Sequence, residues 1–325
     1  MRKNLFLMLC LLVAGTSTVK AQNGKIIMHH NGTPTFFYAH ETQAALDAAE
    51  DGDTIFFNEG SFQGGVTISK KVVIIGYGEE KSVIGGNVSI AVGEGEETLT
   101  KPLLNGITVR GTISIDKAIK GLVIMKSSFE YIDFNADVEE SNIDRCWVYG
   151  WNDDRGFNLS GHVKGIIINN SKILRVCGDA YSSESAVFSN CNIRRMYFYW
   201  SDKGLKLATY RNCIFEDMDY GKDYYNKTTT YINCLNNDLD YFRGEVRNCW
   251  ATTGDLLDND TGECLLTDEQ LMSAGYVGTD GTVIGINGGE TPFSLTTNAP
   301  KITDFSTAVD SETLKVTVNL KVSNK

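Results

Sequence analysis

The sequence predicts an all-β fold, a single-stranded parallel β-helix, and three observations carry that expectation. Asn followed by Ser or Cys recurs at Asn170-Ser171, Asn190-Cys191, Asn212-Cys213, Asn233-Cys234 and Asn248-Cys249, in steps of 20, 22, 21 and 15 residues. An apolar or aromatic residue stands two before each Asn (Ile168, Phe188, Tyr210, Tyr231, Val246), and others follow at three (Ile173, Ile193, Phe215) and six (Val176, Met196, Met218, Leu239). The same register runs back through Cys146, Val148 and Trp151 to Ser127, Phe129 and Ile132. A repeat of about 21 residues made of short β-prone runs is one solenoid coil, which buries its apolar row only by stacking on the next.

Stacked coils lie about 4.8 Å apart, so equivalent positions form columns. The Asn column predicts a sharp left-handed corner, because Asn tolerates that conformation and can bond its own backbone. The next column, Cys146, Ser171, Cys191, Cys213, Cys234 and Cys249, is expected to point inward as small buried groups. Parallel Cβ directions suit disulfides poorly, so free thiols are expected. The spacing also lacks the CxxC of a zinc knuckle.

Taken in order, the elements agree with that architecture. Arg2 and Lys3, the apolar run Leu5 to Val13, and Val19-Lys20-Ala21 predict a signal peptide over residues 1–21. Leu9 precedes Cys10 where a lipoprotein signal would carry a small residue, so export without lipidation is expected, to the periplasm, cell surface or exterior. Thr42 to Ala49 predicts a helix capping the first coil, with Gly52 as its stop. Strands are expected at 54–57, 66–68, 72–75, 83–84, 88–92, 106–109, 112–115 and 121–125. Thr267 to Ala274 predicts a short helix, and Thr282 to Ile286 a last strand. The alternating run Leu314 to Val322 predicts an edge strand. The β-helix is thus expected over 22–293, with a C-terminal β cap or tail over 294–325. No later stretch is apolar enough for a transmembrane helix.

The opening from Thr42 to Gly78, TQAALDAAEDGDTIFFNEGSFQGGVTISKKVVIIGYG, resembles the pectin-lyase-like superfamily of right-handed parallel β-helices. The matching features are a capping helix, Ala49-x-x-Gly52-Asp53, a strand and Gly60-x-Phe62; the Asn-Cys ladder is similar to that family's internal ladders. The resemblance covers about 40–290 and speaks to fold rather than function. Its members include polysaccharide lyases, polygalacturonases, adhesins and many bacterial surface proteins.

Charge narrows the partners. Removing residues 1–21 takes away three basic and no acidic residues, so the formal charge moves from −11 to −14, which disfavours nucleic acid and anionic lipid. The segment seven to ten residues after each Asn is expected on one outer face. It contains Asp133-Phe134-Asn135, Asn152 to Arg155, Cys177 to Ala180, Tyr197 to Trp200, Asp219 to Lys222 and Asp240 to Arg243. Tyr197, Tyr199, Trp200, Tyr220, Lys222, Tyr241 and Arg243 are therefore candidate ligand-binding residues for an extended polysaccharide. Asp153, Asp154 and Asp179 are candidate Ca²⁺ ligands, and with Arg155 the catalytic candidates; no cofactor other than Ca²⁺ is suggested.

The resemblance implies that a lyase would use a Lys or Arg base with acid-held Ca²⁺. A polygalacturonase would carry Gly-His-Gly and Arg-Ile-Lys, of which Gly161-His162-Val163 is a partial echo. His29-His30 lack a third metal ligand, and Arg194-Arg195 are expected to pair with Glu216-Asp217 one coil on. The leading expectation is a non-catalytic binding protein. The alternatives are a lyase or hydrolase of acidic glycans and a structural or adhesive surface protein. The oligomeric state is left open.

Overall fold

Short runs with one apolar face cannot fold alone, and here they stack into two long parallel sheets. The computed structural model describes residues 24–92, 103–150, 156–158, 163–177, 184–198, 207–220, 229–242 and 244–297, with the backbone alone of 301–309 and 316–323. In the first sheet Thr54–Phe57, Val73–Ile75, Leu104–Asn105, Val123–Met125, Asn142–Asp144, Val163–Asn169, Glu184–Ser189, Thr209–Arg211, Thr230–Ile232 and Glu245–Arg247 follow one another in parallel. The second sheet is built the same way from the other side of each coil, including Thr108–Ile115, Ser128–Phe134, Lys172–Cys177, Asn192–Phe198 and Ile214–Tyr220. The expected parallel β-solenoid with its spacing of about 21 residues is present. Among the described residues no helix is long and apolar enough to cross a membrane.

Register makes the core a set of columns. Ile55, Ile74, Leu104, Ile124, Ile143, Ile168, Phe188, Tyr210 and Tyr231 succeed one another on paired strands. None of them is more than 1% exposed. Each such side chain stabilises the fold by about 1.5–3 kcal/mol relative to exposure. Toward the C-terminal end the column turns aromatic, with ring centroids 4.8 Å apart for Phe188–Tyr210 and 5.3 Å for Tyr210–Tyr231. That is close to the strand spacing, so the coils stack their rings without adjustment.

The Asn corner is left-handed as expected. Asn170, Asn190, Asn212, Asn233 and Asn248 have φ between 43° and 54°, and Gly106, Lys126 and Arg145 continue the conformation upstream. The interchange of Ser and Cys after the corner has a local cause. Ser127, Ser171, Cys191, Cys213 and Cys234 all donate to the carbonyl two residues back, at 2.7–2.9 Å for oxygen and 3.3–3.4 Å for sulfur. A small side chain with one donor fits, and either element serves. The cysteines are free thiols; Cys146, Cys191, Cys213 and Cys234 are buried and Cys249 is partly so. Burial pushes the Cys146 thiol up to about 12 and those of Cys191 and Cys234 well above their ordinary value.

The N-terminal end is closed by two devices. The helix Thr42–Ala48 lies where the sequence predicts it. An antiparallel hairpin, Lys25–His30 with Thr33–Tyr38, was not anticipated, although its turn Asn31-Gly32 has the left-handed φ values of 47° and 80° that this dipeptide favours. Its inner strand pairs antiparallel with Thr54–Phe57 and lays Ile26 and Met28 over the first coil.

After Ala251 the chain leaves the solenoid and returns over the outer side of the second sheet and along the Asn corner. The helix Asp268–Ser273 forms as expected, with Thr267 and Gln270 in a reciprocal capping box. Thr282 to Ile286 is not the expected strand; Val283 makes only an isolated bridge to Val277. Its backbone partners are corner groups instead: Gly285 donates to the Asn212 carbonyl at 2.8 Å, and Asn170 Nδ2 donates to Ile286 O at 3.1 Å. Leu256, Leu257, Leu271, Val283 and Ile284 form a second small core with Ile214 and Leu235. Farther on, Lys301–Val309 pairs antiparallel with Val316–Ser323 in a two-stranded sheet, where the sequence had suggested one strand.

Candidate functional site

The candidate face follows from where each coil leaves the second sheet. Phe157 pairs with Val176 and Asn158 with Cys177; farther along, Tyr197 pairs with Asp219 and Phe198 with Tyr220. Tyr197 and Asp219 thus continue the column of Asp133 and Asn158, whereas Tyr220 falls in the column of Phe134. Asp153, Asp154, Arg155, Asp179, Tyr199, Trp200, Lys222 and Arg243 lie outside the described residues, as do Gly161 and His162. Asp153 to Arg155 precede the strand Phe157–Asn158, whereas Asp179 follows the strand ending at Cys177.

Two members of the expected face are placed differently. Phe134 alternates inward, fully buried against the Phe157 ring at 5.4 Å. Tyr241 sits in a 3₁₀ turn, Leu239–Tyr241, rather than on a strand, and its side chain is exposed. That turn replaces most of a coil and explains the short last step to Asn248. Phe242 beside it is buried against Tyr231, centroids 4.7 Å apart.

Upstream, the same outer column carries a polar ladder. Asn158 Nδ2 donates to Asp133 at 3.1 Å, Asn135 Nδ2 to Asp116 at 3.1 Å, and Ser89 to Asp116 at 2.6 Å. These bonds run between coils. Among the described residues no three His, Cys, Asp or Glu side chains are placed to share a metal ion. His30 bonds Asp53 at 2.9 Å and the His29 ring meets Phe56, so this pair anchors the hairpin.

Sequence reasoning missed the fastening of the returning segment. Lys172, buried, pairs with Glu263 at 2.7 Å and lies between the rings of Trp147 and Phe293, 4.6 and 4.8 Å from their centroids. Asn192 donates to Gly262 O at 3.0 Å and accepts from Ile286 N–H at 3.3 Å, joining two passes of the segment. Burial raises the Glu79 carboxyl above its ordinary range against the opposing pull of Lys172. Of the expected pairs, Arg195 meets Asp217 at 3.3 Å, but Glu216 is buried and accepts the Leu257 N–H at 2.8 Å, while Arg194 donates to Asn259. A cleft of about 310 Å³ remains under the segment, edged by Asn192, Glu263, Asp268, Glu269 and Asn287. No known family model, curated protein or solved structure matches the chain.

Proposed function

We propose that this chain is an exported, non-catalytic binding protein of the pectin-lyase-like kind, and that it holds an extended polysaccharide across successive coils. The observation that supports this reading is the pairing of Tyr197 with Asp219, which continues the outer column of Asp133 and Asn158. It puts aromatic and charged positions of neighbouring coils at strand spacing, a row suited to a ligand with its own repeat. Tyr199, Trp200 and Lys222 follow those strands directly in the chain and supply the ring faces and charge for sugar. Asp153 and Asp154 come before the strand Phe157–Asn158 and Asp179 after the strand paired with it on the next coil, an order that favours binding over a shared Ca²⁺-dependent catalytic centre. Export rests on the basic and apolar pattern of residues 1–21.

The test is incubation with acidic and neutral polysaccharides, with and without Ca²⁺, following both retention of the protein and length of the glycan. Retention without shortening, abolished by Trp200→Ala with unchanged thermal unfolding, is the expected result. Shortened chains would replace the proposal with a lyase or hydrolase centred on Asp153, Asp154, Arg155 and Asp179. If neither occurs, a structural or adhesive role would take its place.

A further inference from the structure

The two ends of the solenoid are treated differently. At the N-terminal end the central core column is closed by the hairpin, with Met28 paired to Ile55 and both buried. At the C-terminal end the column continues from Tyr231, fully buried, to its register partner Val246, which is 44% exposed. Leu239 and Tyr241, 43% and 42% exposed, flank the same end. The last coil therefore ends the core column in a partly exposed apolar residue.

The strand that ends the sheet, Glu245–Arg247, pairs with Thr230–Ile232 on one side, and it is the last strand of its sheet among the described residues. Glu245 N–H donates to Thr229 O, and Arg247 O accepts from Asn233 N–H, both toward the previous coil. In a parallel ladder alternate residues face opposite neighbours, so the N–H and C=O of Val246 point to the open side. Such an edge is a template for another strand.

We infer that this edge receives the same edge of a second copy, in antiparallel register about a two-fold axis through Val246. In that register the two Val246 residues exchange both N–H···O=C bonds and their side chains continue the core column. Each Glu245 then stands opposite the partner's Arg247, so the strand is complementary in charge to itself. Within one chain Arg247 Nη2 already meets Glu245 at 2.6 Å on an exposed surface, and both groups are free to exchange partners. The strand at the opposite edge of this sheet among the described residues, Thr33–Tyr38, is a worse match. Pro34 has no N–H to give, and no residue of that strand is charged to meet Glu245 or Arg247. The contact is isologous and closes at two copies.

The test is sedimentation equilibrium of the full chain over roughly 1–500 µM, the range in which a small interface saturates. A monomer–dimer equilibrium with no larger species is expected. Glu245→Arg and Arg247→Glu, each alone, put like charges opposite each other and should weaken the dimer at least about tenfold. Mixing the two single variants should restore it, since each strand then carries one sign of charge, and the double variant should dimerise like the unaltered protein. Both sites are exposed, so unchanged thermal unfolding checks the fold of each variant. A monomer at every concentration, single variants that dimerise normally, or species growing beyond the dimer would each overturn the inference.

Discussion

Between Gly121 and Asn212 the solenoid turns a left-handed corner twice in each coil, and only one of the two corners leaves a pattern in the sequence. The first is the Asn column. The second is Gly121, Glu140, Gly165, Ser185 and Leu207, which occupy one register position with φ from 47° to 74°. The backbone demand is the same at both. At the second corner the side chains have separate local roles: Glu140 pairs with Lys120 at 2.9 Å, Ser185 Oγ accepts from Gly165 N–H, and Leu207 is 53% exposed. At the first, the returning segment lies on the corner, and the buried amide groups face its backbone or each other. Asn170 donates to Ile286 O and Gly288 O, and Asn233 Nδ2 donates to Asn212 Oδ1 at 3.1 Å. A left-handed φ alone admits many residues at modest strain. At Asn170, Asn212 and Asn233 the side chain has a second task.

The comparison can be broken most forcefully at Asn170. Asn170→Ala removes two hydrogen bonds to buried carbonyls and places a Cβ without amide compensation in the left-handed region. Chemical denaturation should show a loss of about 3 kcal/mol. Asn170→Gly restores the backbone freedom but not the bonds and should recover only about 1 kcal/mol of that. At Asn212 the backbone carbonyl, not the amide, receives Gly285. Asn212→Ala, which also leaves Asn233 Nδ2 without its acceptor, should lose about 2 kcal/mol, and Asn212→Gly, which relieves only the backbone, about 1 kcal/mol, less than Asn170→Gly. Equal damage from both glycines would sink the distinction.

Smaller effects sharpen the other corner. Leu207→Asn offers a residue that tolerates the left-handed conformation, at a position where Leu is exposed; thermal unfolding should shift upward, by about 0.5–1 kcal/mol. The smallest effect is one of pH. Because burial raises the folded-state pKa of Glu79, the native state binds a proton more readily than the unfolded chain. Stability from that group is complete below the unfolded carboxylate value of about 4.3 and is lost as pH rises through the raised folded value. Glu79→Gln should therefore stabilise the protein at neutral pH and have little effect below about pH 4, as read from unfolding midpoints across that range.

The same contrast explains what the sequence disclosed. Periodic features were legible: the Asn corner, the inward thiols, the apolar column and the helix Thr42–Ala48 each follow from a repeat or a composition. The returning segment was not, because residues 252–297 use a different partner at each step and have no period; Thr282 to Ile286 looks like a strand until Asn170 and Asn192 take its backbone groups. The Asn31-Gly32 turn was there to be read, but the flanking runs KIIMHH and TPTFFY lie before the first recognisable coil. On the candidate face, Tyr197 and Asp219 pair in backbone register. The expected set mixed two faces at Phe134, because a four-residue window spans both directions of a strand.

The most direct test of the account is amide hydrogen exchange on the unaltered protein and on Asn170→Gly. If the repeated Asn fastens the returning segment, protection at Gly285, Ile286 and Gly288 should fall sharply in the variant, while the strand amides of Ile168 and Phe188 keep theirs. Unchanged protection at Gly285, Ile286 and Gly288 would mean that Asn170 serves the backbone turn alone, and the difference drawn between the two corners would be wrong.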